Sequence, residues 1–263
     1  MDLGISHRVA LVTGSSSGLG LATARALAAE GCRVALNGRD AGRLERAAET
    51  LGSERGDRVA TFRADVSVPA EADGLVRDVE QHFGAVDILV CNAAGPPAAR
   101  FTSLAAGSWR RALELNLLSA MQLCAAAVPG MQARRWGRII CLTSIAAKQP
   151  VAGLILSTTA RAGVLGFAKS LSDELAAQGI TVNAVCPGFM RTERLEDLAQ
   201  QRAAHAGGSR DVELAGMVRD VPAQRIGEPA ELAAAIAFLA SERAAYITGV
   251  ALQVDGGFIR SVG

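Results

Sequence analysis

An apolar run at residues 8–13 leads straight into Thr13-Gly14-Ser15-Ser16-Ser17-Gly18-Leu19-Gly20, and an Ala-rich helical stretch continues over 22–29. This strand–turn–helix passage constrains the fold more than any other feature of the chain. Glycine tolerates backbone conformations that a Cβ forbids, so the chain can pass from strand to helix through one tight turn. The helix then packs back on the strand it left. The next apolar run, at 32–37, is predicted to lie parallel to the first.

The same alternation continues to the end of the chain. Further runs rich in Val and Ile occupy 58–64, 86–91, 138–143, 181–186 and 250–254. They are continuously apolar rather than alternating, as strands buried on both faces of a parallel sheet must be. Helices read between them. Pro69 suits a first helical turn and is followed by Glu71 and Asp73; Glu228-Pro229 opens another helix. The pattern predicts one α/β domain over residues 1–263. It is a Rossmann-type doubly wound parallel sheet of about seven strands, with helices on both faces. There is no linker, repeat or low-complexity tract. Residues 193–221 are the least core-like, charged and interrupted by Gly207-Gly208. They form either a lid over a substrate or a solvated surface excursion.

Composition narrows the function classes. Half of the 263 residues are hydrophobic and the formal net charge is +1, which argues against a nucleic-acid surface built on bulk charge. No long apolar run is free of charges and helix breakers, so no membrane span is expected. The first eight residues do not read as a secretory leader. The five cysteines, Cys32, Cys91, Cys124, Cys141 and Cys186, are widely spaced with no Cys-x-x-Cys pair. Buried reduced thiols, no metal site and a cytoplasmic location are the expectation.

The turn at residues 13–20 has a chemistry of its own. Glycines let the backbone approach an anion, and the helix N-terminus presents free N–H groups at the positive end of its dipole. A strand before and a helix after are the context in which such a turn holds the pyrophosphate of a dinucleotide. Gly14, Ser15, Ser17, Gly18, Leu19 and Gly20 are therefore the candidate contacts.

The spacing is Gly-x-x-x-Gly-x-Gly, and here the chain resembles the short-chain dehydrogenase/reductase family, in particular its 3-oxoacyl-ACP reductases. The resemblance covers nearly the whole length. Asp65-Val66 after the third strand matches the family's adenine contact. Asn92-Ala93-Ala94-Gly95 is similar to its Asn-Asn-Ala-Gly element, with Cys91 standing where the first Asn usually is. Asn116 matches the helix Asn of the catalytic tetrad, and Ser144 its catalytic Ser. Val182-Asn183-Ala184-Val185-Cys186-Pro187-Gly188 and Thr192 match the segment that holds the nicotinamide ring. Tyr246-Ile247-Thr248-Gly249 and Val254-Asp255-Gly256-Gly257 match the C-terminal signature. The resemblance implies a small-molecule substrate and a homotetramer or homodimer.

The end of the second strand bears on cofactor choice. An acidic residue there would bond the ribose hydroxyls of NAD and repel a 2′-phosphate. This chain has Asn37-Gly38-Arg39 instead. The planar fork of Arg39 can pair with a phosphate, so NADP(H) is favoured over NAD(H).

One element of the family is missing. Its members deliver a proton from a Tyr whose pKa is lowered by a Lys four residues later, on the same helix face. Counted from Ser144, the Tyr position falls at Ser157 and the Lys position at Arg161. The chain has one tyrosine, Tyr246, and two lysines, Lys148 and Lys169, so no Tyr-x-x-x-Lys exists in any register. Ser157 is a much weaker acid than a phenol. Arg161 can bond a ribose and hold charge, but it stays protonated.

Three readings remain open at this point. The chain is an atypical NADP(H) reductase of a carbonyl or a conjugated enone or enoyl compound, with Asn116, Ser144, Ser157 and Arg161 at its active site. Alternatively it binds cofactor in a non-redox biosynthetic enzyme, or it is a non-catalytic partner subunit. Lys148 is either a substitute acid near Ser144 or a solvated loop residue. His205 either approaches a substrate from the lid or lies on the surface.

Overall fold

The computed structural model describes residues 1–52 and 58–262, and of His205 and Ala206 the backbone only. The reading of His205 as a pocket residue thus concerns a side chain outside the described set. Seven strands appear where the apolar runs lie: β1 (Val9–Val12), β2 (Arg33–Gly38), β3 (Val59–Arg63), β4 (Ile88–Cys91), β5 (Gly137–Leu142), β6 (Ile180–Pro187) and β7 (Ala251–Val254). They form one all-parallel sheet in the order β3-β2-β1-β4-β5-β6-β7. Strands β1, β4, β5 and β6 are buried along their whole length, while the edge strands β3 and β7 are half-exposed. Burial on both faces is why the inner runs carry no polar alternation.

Helices cover both faces. The layer with α1 (Gly18–Ala29), α2 (Ala41–Gly52) and α9 (Pro229–Leu239) packs Leu27, Leu44 and Ile236 against Val12, Leu36 and Ile140. The opposite layer has α3 (Pro69–Phe83), α5 (Ser119–Arg134) and α6 (Ile155–Leu175). It sets Leu75, Leu123, Met131 and Val164 against Leu11, Ile139 and Val182. Each such Leu or Ile, removed fully from water, contributes about 1.5–3 kcal/mol. A short helix, α4 (Ala106–Leu113), runs into α5 through a widened turn, Glu114–Leu118. The combined helical run Ala106–Arg134 is long and apolar enough, by length and composition, to cross a membrane. Here Leu123, Cys124, Ala127 and Met131 of that run are core residues. All five cysteines are buried and free.

Residues 193–221 are more ordered than their charge suggests. They form α7 (Glu193–Ala206) and α8 (Arg210–Arg219), joined across Gly207, which takes the left-handed conformation that ends α7. Leu195, Leu198, Ala199 and Met217 make a small apolar seam there, with Phe189, Leu214 and Ile226 against it.

The strand order reverses between β1 and β4, from which the chain winds outward in both directions. A crevice opens at the carboxyl ends of the strands on either side of such a switch point. At the other end of the sheet, Trp136 lies between the guanidiniums of Arg8 and Arg138, 3.8 and 4.4 Å from its ring centroid. Its indole N–H donates to Glu242 at 2.7 Å, and the same carboxylate faces both arginines. This network ties β5 to the segment between α9 and β7.

Candidate functional site

The crevice is a cleft of about 410 Å³ at the carboxyl ends of β1, β2, β4 and β5. Its floor is the glycine turn. Gly14 and Gly18 have positive φ, 57° and 56°. A Cβ on Gly20 would overlap the carbonyl oxygen of Gly14, so this close crossing of turn and helix requires glycine there. The Thr13 hydroxyl donates to the Asn92 carbonyl at 2.7 Å and accepts from the Asn92 N–H at 2.9 Å. The Asn92 side-chain amide donates to the carbonyls of Thr13 and Gly14, both at 3.1 Å. Asn92 therefore lines the cleft while its amide is engaged in holding the turn.

The first turn of α1 is left open. Ser17 sits at its N-cap but makes no capping bond, and no acidic residue neutralises the first turn. Most helices satisfy these N–H groups with a side chain; one that has a serine in place and leaves it unused keeps its amides for an anion. Ser15 is placed differently from its neighbours. It is fully buried, its hydroxyl accepts from Asn37 N–H at 2.9 Å, and its own N–H donates to the Asn37 carbonyl. Both its polar groups are turned to β2, and it does not line the cleft.

Arg39 and Asp65 meet at one end of the cleft, 3.5 Å apart. Burial raises the Asp65 pKa, but the Ser67 hydroxyl and N–H, together with Arg39, outweigh it and hold the carboxyl below the usual range. Val66 and Ala93 line the same cleft. So does Arg43, whose guanidinium pairs with Glu193 at 2.6 Å and links α2 to the first turn of α7. Thr192 caps α7 through its hydroxyl, and its methyl would lie 3.7 Å from a Cβ on Gly18.

Of the remaining expected residues, Arg161 lines the cleft, whereas Asn116, Ser144, Ser157, Pro187 and Gly188 are not among the residues that line it. Asn116 sits in the widened turn between α4 and α5, buried, with its amide donating to the Ala112 carbonyl at 3.3 Å. Turns of this kind recur at functional sites. Ser144 follows β5, and its oxygen accepts from the Ala146 N–H at 3.1 Å, leaving its own proton free to donate. Ser157 and Arg161 are both buried on one face of α6, as the four-residue spacing requires. Arg161 lines the cleft and donates to the carbonyls of Leu142 and Thr143 at the end of β5. Burial, aided by the like charge of Arg194, lowers its pKa to about 10. Pro187 ends β6. Gly188 donates to the Val254 carbonyl and packs so tightly that a Cβ would lie 2.8 Å from the Asp255 Cα. Asn183 is a clamp, donating to the Ile247 carbonyl and accepting from the Val250 N–H.

Tyr246 is fully exposed, precedes the edge strand β7 and does not line the cleft. Lys169 is exposed and paired with Asp173. Lys148 is half-buried, and with Arg161 it lies close enough to the buried Cys186 thiol to oppose the upward pull of burial on that group. Sequence reasoning missed Ser16, Arg43 and Arg194 as cleft residues. Ser16 was legible from its place in the turn. The two arginines depend on how α2 and α7 approach the sheet.

The fold and its crevice are those of a Rossmann-type α/β protein. A family model described as Enoyl-(Acyl carrier protein) reductase matches residues 14–259. The chain is 37% identical over 253 residues to nodulation protein G of Rhizobium sp. (strain N33), covering 96% of this chain and 97% of that one. It is 37% identical over 250 residues to 3-oxoacyl-(acyl-carrier-protein) reductase of Escherichia coli (strain K12), covering 95% and 96%. Among solved structures, L-sorbose reductase from Gluconobacter frateurii, complexed with NADPH and L-sorbose, superposes with a TM-score of 0.95 at 37% identity over 100% of both chains. Actinorhodin polyketide ketoreductase with NADPH gives 0.93 at 35% identity, over 97% and 98%. The chain belongs to the short-chain dehydrogenase/reductase family.

Proposed function

We propose that this protein is an atypical NADP(H)-dependent reductase of a small carbonyl, enone or enoyl compound. The observation that carries the reading is a cleft with an uncapped helix N-terminus at its floor and Arg39 at the end of β2. The residues present fit a dinucleotide carrying a 2′-phosphate. The glycine turn admits a close pyrophosphate, the amides of Gly18, Leu19 and Gly20 and the Ser17 hydroxyl face it, and Arg39 with Arg43 would hold the extra phosphate. Asp65, Val66, Asn92 and Ala93 would border the adenosine half, and Pro187, Gly188 and Thr192 the nicotinamide half. Bound NADPH would supply the hydride.

The chain's own residues would handle the oxygen. Ser144 would donate its free hydroxyl proton to the carbonyl oxygen as a hydrogen bond. Ser157 and a water ordered by Asn116 would share that task, and Arg161 would stabilise negative charge. A Ser hydroxyl and a water are both far weaker acids than a phenol, so these groups would stabilise the developing oxyanion by hydrogen bonds, and the oxygen would take its proton from solvent once the hydride has moved. The L-sorbose and ketoreductase structures, both holding NADPH, support the cofactor assignment. Paired titrations test it: NADPH should bind more tightly than NADH, and the reverse order would refute it. A screen of ketones, enones and acyl thioesters, read by NADPH absorbance, tests the redox step.

A second reading has a specific observation behind it. The one tyrosine lies outside the cleft, so no phenol serves the site. In that reading the protein binds the cofactor without hydride transfer, as a non-redox enzyme or a partner subunit. Product formation without cofactor turnover, or co-purification with an active homologue, would favour it. We further propose a homotetramer or homodimer located in the cytoplasm. Exposed Leu252 on the edge strand β7 and Val250 just before it support the oligomer, and sedimentation as a monomer would count against it.

A further inference from the structure

Arg161 and Arg194 come from different layers of the fold and meet over one backbone position. A Cβ built on Gly95 would lie 3.8 Å from Nη2 of Arg161 and 3.8 Å from both Nε and Nη2 of Arg194. Both side chains line the cleft. Arg194 is steered there by its bond to the Pro96 carbonyl at 2.7 Å, and Arg161 by the carbonyls that close β5. Among the described residues, neither forms an ion pair with a carboxylate. Glu193, next to Arg194, is committed to Arg43, and Asp197, which also borders the cleft, pairs with neither guanidinium. The Nε of Arg161 is buried without a hydrogen-bond partner. Two guanidiniums facing one gap, one of them with its Nε buried and unpaired, lack the negative charge that such an arrangement needs.

We propose that Arg161 and Arg194 form an oxyanion site above Gly95, for a carboxylate of the substrate or a phosphate of the dinucleotide. It uses side chains alone, and its dinucleotide ligand would be the pyrophosphate that the amides of the glycine turn also hold. Guanidinium forks match either group, since both present two coplanar oxygens for parallel N–H bonds. The proximity of the two cations also explains why Arg194 contributes to the depressed pKa of Arg161. An oxyanion between them would turn that repulsion into attraction. If the bound group is the substrate's, the substrate class within the reductase reading narrows to compounds with an acidic group near the reacting carbonyl. This inference rests on that reading only for its substrate arm.

Calorimetric titration of the full chain tests the site with three probes: pyrophosphate and NADPH on the free protein, and malonate on the NADPH-saturated protein. The variants are Arg194→Met and Arg161→Met, with Arg210→Met on α8 as a control for net charge. The proposal expects at least tenfold weaker binding of an anionic probe in both cleft variants and no change in the control. Loss of malonate binding with NADPH affinity kept in Arg194→Met assigns the site to the substrate. Parallel loss of pyrophosphate and NADPH assigns it to the dinucleotide phosphates. Unchanged affinities for all three probes in Arg194→Met, which alters an exposed side chain and spares the core, overturn the site. Wild-type protein that binds pyrophosphate or malonate through these arginines but not NADPH upholds the site and refutes the reductase reading. Wild-type protein that binds none of the three refutes both.

Discussion

Replacing Arg161 with Met should make the folded protein more stable while impairing the cleft. Burial and the neighbouring Arg194 draw the guanidinium pKa well below its ordinary value, to about 10. At ~1.4 kcal/mol per pH unit, the native state carries that charge at a cost of about 3 kcal/mol. The unfolded chain holds the proton more tightly, so stability rises as the pH climbs from about 10 toward the ordinary arginine range. Below about 10 both states are protonated and the full penalty is present, which places neutral pH inside the penalised range. Methionine removes the charge and fills much of the same volume with an apolar, flexible chain. Against this, the Leu142 and Thr143 carbonyls lose a donor, at about 1–2 kcal/mol. The expected net is a gain of about 1–2 kcal/mol, a rise of a few degrees in melting temperature for a chain of this size. Urea unfolding of the full chain at neutral pH measures it. A variant less stable than wild type by 1 kcal/mol or more would falsify the reasoning, because the guanidinium would then be a net structural contributor.

Four further outcomes are expected. Arg39→Asp should weaken NADPH by about ten- to a hundredfold, the range for loss of a charge-assisted contact, and shift preference toward NADH in paired titrations. Glu193→Gln frees Arg43 from its 2.6 Å ion pair, so NADPH should bind up to about fivefold more tightly, an effect that fades as salt is raised. Glu242→Ala leaves Arg138, whose side chain is 3% exposed, without its carboxylate and Trp136 without its acceptor; denaturation should show a loss of about 2–3 kcal/mol, reduced from the fully buried case because Glu242 is 42% exposed. Ser144→Ala should lower turnover by about a hundredfold or more, and undiminished turnover with the substrate found by screening would remove Ser144 from the proposed active site.

The layered sheet and the phosphate turn are legible in the residues alone. Both are local: the turn needs its glycines within eight residues, and an inner strand announces its burial by an unbroken apolar run, as β1 and β5 do. The four-residue spacing of Ser157 and Arg161 placed both on one face of α6 for the same reason, and counting residue types was enough to show that no Tyr-x-x-x-Lys exists. Other features depend on how distant segments come together in the fold. Ser15 sits among the turn's glycines, yet its hydroxyl is spent on β2, because the turn and that strand come together only in the folded sheet. Asn92 reads as a ligand contact and serves as the clamp of the turn, 79 residues after Thr13 in sequence and 2.9 Å from it in space. Residues 193–221 look like a solvated excursion because their seam of Leu195, Leu198 and Met217 is too small to dominate the pattern. The pairing of Arg194 with Arg161 over Gly95 follows from how α7 and α6 approach the same strand ends. The phosphate turn was legible early because one stretch of chain builds it; the charge that faces it across the cleft is assembled from α2, α6 and α7, and no single stretch of sequence contains it.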